Sequence, residues 1–326
     1  MASPSSSKRG KEKVAQITRN ASPSGWISDR DTREKFLYWS HVKNVVPHKY
    51  LDLQLFKNEG FLFQEWIAYQ GLTDFLQMKG HCYPDLVKVF YTNLRVVNGV
   101  IHSRVKSFNI TIDDNVWSDI PGLKVQGLDS HIRDSESNRF LTKRVIYINC
   151  LRYPGRYMVD KQYLHDGLNK EEKMISYVLT WLLLPGRLNE DNVRAATAEL
   201  YHQNFIFIIL LTDRMSTEDV FLLNAIKTRI PTNLVAILKH HMIAAGDDYA
   251  RKLPYGVFIS KVLELQGVDV YEEERIMCKR SEEISIPSLS SIGLKKTVNG
   301  WFFIDEQTVG TPPTIDQDHT ESKESS

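Results

Sequence analysis

Tyr83-Pro84-Asp85-Leu86-Val87-Lys88-Val89-Phe90-Tyr91-Thr92-Asn93-Leu94-Arg95-Val96-Val97-Asn98-Gly99-Val100 holds the signals that decide the fold. Pro84 lacks an N–H and has a fixed φ, which suits the first helical position. Leu86, Phe90 and Leu94 then share one helical face. Asn98-Gly99 follows between two apolar runs, Leu94–Val97 and Val100–Val105. Both central residues of a two-residue hairpin turn need positive φ, which Asn and Gly supply. Beyond the hairpin, Ile110 and Ile112 alternate with polar residues and predict a further strand. Asp113 or Asp114 then caps a helical turn carrying Val116, Trp117 and Ile120. The expectation is a mainly α-helical chain with a small antiparallel β element near 94–112, an α+β fold.

Working outward, Asp31-Thr32-Arg33-Glu34 reads as a helix start, with Phe36, Leu37, Trp39 and Val42 at helical spacing and Pro47 as a stop. Leu51–Phe56 and Phe61–Tyr69 read as helices, punctuated by Gly60 and Gly71. Val145–Ile148 reads as a weaker strand. Lys170–Leu184, capped at Asn169, is apolar around nearly its whole circumference and predicts a buried helix. Helices are also expected over Asp191–Tyr201, from the capping box at Ser216 onward, between Pro231 and Gly246, and between Pro254 and Gly267. Residues 1–30 and 306–326 are rich in Ser and charge without apolar periodicity, so two disordered tails should flank a globular region over 31–305. Dense Gly, Ser and Asp near 122–140 predict a division of that region into two lobes.

The 326 residues carry 41 Lys plus Arg against 40 Asp plus Glu, a net charge of +1. That balance argues against a surface built throughout to hold nucleic acid or anionic lipid. Three cysteines exclude a disulfide scaffold. The start lacks an apolar signal core, and neither Phe205–Leu211 nor Ile175–Leu184 reaches the about 20 residues of a membrane helix. An intracellular protein, cytoplasmic or nuclear, is expected, with no membrane partner.

Catalytic signatures are missing from the sequence. There is no Gly-rich phosphate loop, no Gly-x-Ser-x-Gly elbow and no Cys-x-x-Cys pair. His240-His241 should point to different sides of a helix and so fail as a metal pair. Gly246-Asp247-Asp248 reads as a helix end with a solvated loop, and the remaining acidic clusters read as caps and solvated faces. One charge asymmetry stands out. Residues 139–161 hold six basic residues against Asp160 alone, and arginine alternates with tyrosine. Arginine pairs with phosphate and tyrosine stacks on bases. Lys143, Arg144, Arg152, Tyr153, Arg156 and Tyr157 are therefore the candidate contact residues for nucleic acid or a partner. The plain alternative is a loop whose tyrosines pack on the core. Residues 264–283 hold seven acids, so a basic and an acidic patch could also serve self-association.

The order of four stretches carries a family resemblance. Pro84-Asp85-Leu86-Val87 through Phe90-Tyr91-Thr92-Asn93-Leu94 comes first, then Val105-Lys106-Ser107 with Ile110 and Ile112. Leu222-Leu223-Asn224-Ala225-Ile226 and Leu253-Pro254-Tyr255-Gly256 through Gly267-Val268 follow. Together they resemble the plant transposon-derived protein domain, whose legume members are labelled envelope-like or transposon proteins of LTR retroelements. The resemblance spans roughly residues 35–275. Ser107 stands where the family usually has glycine. The resemblance implies a retroelement origin but no established reaction and no agreed catalytic residues.

The expectation for function is thus a non-catalytic interaction or assembly protein, with no catalytic residue, no metal and no cofactor. The alternatives are a nucleic-acid-binding module using 139–161 and, third, a metal-dependent nuclease or strand-transfer enzyme, which needs three converging carboxylates.

Overall fold

The computed structural model describes residues 30–158, 163–187, 214–248 and 251–306. The chain divides into two compact units, one up to Ser285 and one from Ile286. In order, the first unit holds α1 (Arg30–Val42), β1 (Tyr50–Leu51), α2 (Leu53–Asn58), α3 (Phe63–Tyr69), α4 (Thr73–Gln77), β2 (His81–Cys82) and α5 (Pro84–Thr92). Strands β3 (Arg95–Val97), β4 (Val100–Val105) and β5 (Phe108–Ile112) follow, then α6 (Asp114–Asp119), α7 (Lys143–Ile148) and α8 (Lys170–Val178). The unit ends with α9 (Thr217–Lys227), α10 (Leu234–Asp247), α11 (Gly256–Leu265), β6 (Ile276–Met277) and β7 (Glu283–Ile284). This is the expected mainly helical α+β architecture.

Helix α5 sits at the centre. Leu86, Val87, Val89, Phe90, Tyr91 and Thr92 are all buried, and the helix packs on α1, α11 and β4. Three polar groups lock it there. Tyr91 Oη donates to Pro254 O at 2.9 Å, Ser103 Oγ donates to Phe90 O at 2.7 Å, and Tyr83 N donates to Ser260 Oγ at 3.0 Å. Burying such groups without partners would cost about 1–3 kcal/mol each. The hairpin forms as read, with Asn98 and Gly99 at φ 51° and 76° and β4 central in the order β3–β4–β5. Asp113 caps α6 by accepting from Val116 N at 3.0 Å. On the outer margin of β5, Gln266 Nε2 donates to Thr111 O at 2.6 Å and Thr111 N donates to Gln266 Oε1 at 3.0 Å.

Several boundaries differ from the sequence reading. Asp31 lies inside the first turn of α1 rather than before it. Val145–Ile148 is not a strand but most of α7. Thr142 Oγ1 accepts from Val145 N at 3.3 Å and starts a helix that buries only Ile146 and Tyr147. Helix α10 is capped by the Asn233 side chain, not opened by Pro231, and Gly246 lies inside its last turn. Asn169 occupies the cap position of α8, yet its side chain makes no capping bond. The buried helix expected there changes pitch: Leu179–Leu183 continue it as a π-helix, with Leu184 N bonded to Leu179 O. The 122–140 segment, expected to join two lobes, lies inside the first unit. Leu128 N donates to Pro231 O, Asn233 N donates to Leu128 O, and buried Asn138 holds the carbonyls of Ser130 and Ile132. The capping box at Ser216 forms with Asp219 and opens α9. The helix expected over Asp191–Tyr201 and both expected tails lie outside the described residues.

The second unit is a helix, α12 (Ile286–Ser291), followed by a hairpin of β8 (Leu294–Thr297) and β9 (Gly300–Phe303). Leu289, Leu294, Trp301 and Phe303 are its buried side chains.

Candidate functional site

The basic segment begins just after buried Asn138, and α7 supplies its first turn. After α7 the backbone is laid along residues 167–169: Asn169 N donates to Cys150 O at 2.8 Å and Arg152 N to Gly167 O at 3.0 Å. A 3-10 turn, Pro154–Arg156, then reverses the chain. This route brings the arginines and tyrosines together. The Arg156 and Arg152 guanidinium carbons lie 4.9 and 5.8 Å from the Tyr153 ring centre, and that of Arg144 lies 5.2 Å from the Tyr157 ring. Such stacking contributes about 0.5–1 kcal/mol at exposed sites and holds the planar groups in place. Arg152 is also braced, Nη2 donating to Asp166 O at 2.8 Å.

The tyrosines behave unequally. Tyr153 is 42% exposed. Tyr157 is half-buried against Tyr147, ring centres 6.5 Å apart, and Tyr147 is buried with its hydroxyl on Leu164 O at 2.9 Å. One tyrosine thus presents its ring to solvent while the others anchor the segment to the core. Lys143 is turned inward. Its Nζ donates to Met215 O at 3.0 Å and lies 4.0 Å from the Tyr163 ring centre. Burial lowers its pKa from the ordinary lysine value, opposed by Asp219.

Sequence reasoning missed the exposed apolar residues of this segment. Phe140 is 92% exposed, and Val145 and Met158 are about half exposed. A short helix of which only two residues face the core leaves Val145 outside, a consequence of the Thr142 cap. Nothing local marks Phe140 as exposed. Asp160 and Lys161 lie outside the described residues.

The other candidates take ordinary positions. His240 is exposed and His241 is buried, its Nε2 at 2.9 Å from Pro185 O. Asp248 ends α10 and pairs with Arg251 at 3.2 Å. In the acidic segment, Glu264 accepts from Tyr83 Oη at 2.8 Å and Glu273 pairs with Lys106 at 2.8 Å. Among the described residues no three His, Cys, Asp or Glu side chains are grouped to hold a metal ion, and no helix is long and apolar enough to cross a membrane. Comparison with family models, curated proteins and solved structures finds no match to this chain.

Proposed function

We propose that this chain is a non-catalytic interaction protein of plant-retroelement origin, and that residues 139–158 form its contact face. One observation carries the reading: Arg152 and Arg156 stack on exposed Tyr153, in a segment that also exposes Phe140, Arg144 and Met158. Aromatic residues, methionine and arginine are the types enriched where protein surfaces meet, and they supply most of the energetic hot spots. The pre-stacked guanidinium groups lose less freedom on binding than unrestrained ones. The origin rests on the four resembling stretches, and three of them touch one another. Tyr91 of the first bonds to Pro254 of the fourth, and the Thr111 strand bonds to Gln266, as stretches that belong to one domain would. Long terminal repeats flanking the gene would place it inside an element.

Light scattering of the full chain, alone and with a partner identified by cross-linking, tests the face. Phe140→Ser plus Tyr153→Ser should lower the self-associated mass or weaken the partner at least about tenfold, equivalent to about 1.4 kcal/mol. A chain that stays monomeric and whose partner binds the double variant unchanged would refute the proposal.

A second reading, nucleic-acid binding, is favoured by the stacking of arginines on an exposed tyrosine with no acidic side chain among residues 139–158. It predicts salt-sensitive RNA or DNA binding that weakens on Arg152→Ala plus Arg156→Ala. Binding unchanged by that pair would remove it.

A further inference from the structure

A shallow groove of about 680 Å³ opens where the chain leaves α11 and runs toward β6, lined by Tyr83, Val268, Asp269, Tyr271, Glu273 and Arg275 among others. Its base is fixed: Val268 and Tyr83 are buried, and Tyr83 Oη donates to Glu264 Oε1 at 2.8 Å. Its rim is a turn. Tyr271 N donates to Asp269 Oδ1 at 3.0 Å and Glu273 N to Val270 O at 3.2 Å. Lys106 ties that turn to the β4–β5 loop, pairing with Glu273 at 2.8 Å and donating to Asp269 O. The turn holds Tyr271 outward, 93% exposed.

Residues 269–274 carry four acids and no base. Lys106 answers Glu273, whereas Glu272 and Glu274 are exposed and make no ion pair among the described residues. The 139–158 segment has the opposite sign, with five bases and no acid. The guanidinium groups of Arg139, Arg144 and Arg156 are exposed, and among the described residues their partners are the aromatic rings of Phe140, Tyr157 and Tyr153. Arginine pairs with a carboxylate and stacks on an aromatic face, and the groove presents both. Each surface is exposed in the folded chain, so neither covers the other within one molecule.

We infer that the groove receives a second copy of this chain: Arg144 and Arg156 of one copy face Tyr271, Glu272 and Glu274 of the next. The inference rests on the reading of 139–158 as a contact face and names the partner of that face. Because the two surfaces differ, a pair of copies keeps one groove and one face unfilled. Association therefore runs head to tail, into a closed ring or an open chain, rather than stopping at a symmetric dimer.

Sedimentation velocity of the full chain, freed of nucleic acid by nuclease, tests it with two sets of substitutions. Tyr271→Ser, Glu272→Gln and Glu274→Gln disable the groove; Arg144→Gln, Tyr153→Ser and Arg156→Gln disable the face. The parent should form species larger than a dimer, and added salt should dissociate them. Each variant alone should self-associate at least about tenfold more weakly. Mixed, the two should form a one-to-one pair that grows no further, because one intact groove meets one intact face. Circular dichroism checks each fold, and Glu274→Gln or Arg156→Gln alone replaces a set that fails it. A parent that stays monomeric, including one that binds RNA through 139–158, or two monomeric variants that do not pair when mixed would overturn the inference. If the face variant loses association while the groove variant matches the parent, the inference fails and the contact face stands; if neither variant changes anything, both fail.

Discussion

Glu171 caps a helix to which it does not belong: its Oε2 accepts the backbone N–H of Phe63, 108 residues earlier in the chain, at 2.9 Å. The same oxygen accepts from Leu62 N at 2.9 Å. Leu62 occupies the cap position of α3 and has no side-chain acceptor of its own. Helix α8 thus supplies by tertiary contact what the local sequence of α3 lacks, and a carboxylate at a helix N-terminus also meets favourable backbone dipoles. Glu171→Ala should lower unfolding free energy by about 1–2 kcal/mol, and Glu171→Gln by less, since an amide oxygen can still accept. Urea denaturation measures both; an alanine variant as stable as the parent would show that water replaces the cap at no cost.

Gly256 is fixed by space rather than by backbone freedom. A Cβ there would stand 2.6 Å from Cys82 Sγ and 2.8 Å from Val45 Cγ1. Gly256→Ala should therefore cost about 1–3 kcal/mol through overpacking, and adding Cys82→Ala should return part of it. The Cys82 thiol is pushed up to about 12 by burial, so thiol reagents should react with it slowly in the folded chain and quickly in urea.

Acid should destabilise the fold through His241. Burial pushes its imidazole down to about 4 from 6.5, while the unfolded chain keeps the ordinary value. Between these two pH values the unfolded state binds the proton and the folded state does not. Stability is therefore full above pH 6.5 and falls as the pH drops toward 4, by on the order of 3 kcal/mol from this residue. His48, His131 and His165 are shifted downward by burial too and add to the same slope. His241→Gln should flatten the dependence of the urea midpoint on pH; an equally steep dependence in that variant would move the effect elsewhere.

Glu172 is 4% exposed and pairs with Lys227 Nζ at 2.5 Å, joining α8 to α9. Lys227→Met leaves a buried carboxylate uncompensated and should cost about 3 kcal/mol, whereas Glu172→Gln with Lys227→Met should cost less than the single change. A double-mutant cycle reads the coupling directly.

Local chemistry was legible in the sequence wherever a feature is settled within a few residues. Asn98-Gly99 takes the positive φ pair its composition demands, and Ser216 closes its capping box with Asp219. The fold class follows from these and from the position of Pro84. Val145–Ile148 reads as a strand because its β-branched and aromatic residues outweigh a threonine cap three residues upstream. The boundary after Ser285 is marked only by Pro287, a single residue that reads equally well as the start of a helix within one unit. The alternation of arginine and tyrosine at 152–157 is visible in sequence, and the structure does bring those rings and guanidinium groups together. Exposure of Phe140 was not visible, because an aromatic residue is read as core until its neighbours are known. A cavity beside the π-helical turn at Leu179–Leu183 joins residues from Val46 to Lys252, a separation no local pattern spans.

A three-stranded sheet has two margins along which another polypeptide could add a strand. On the β5 side, the Gln266 amide already occupies the donor and acceptor of Thr111 and imitates a missing neighbour. On the other side, β3 is only three residues long and begins with a charge, Arg95. Short, charged or covered margins are the means by which natural sheets resist edge-to-edge growth into aggregates. One glutamine on the β5 side and a short, charged strand on the other thus both work against recruitment of this sheet into a fibril.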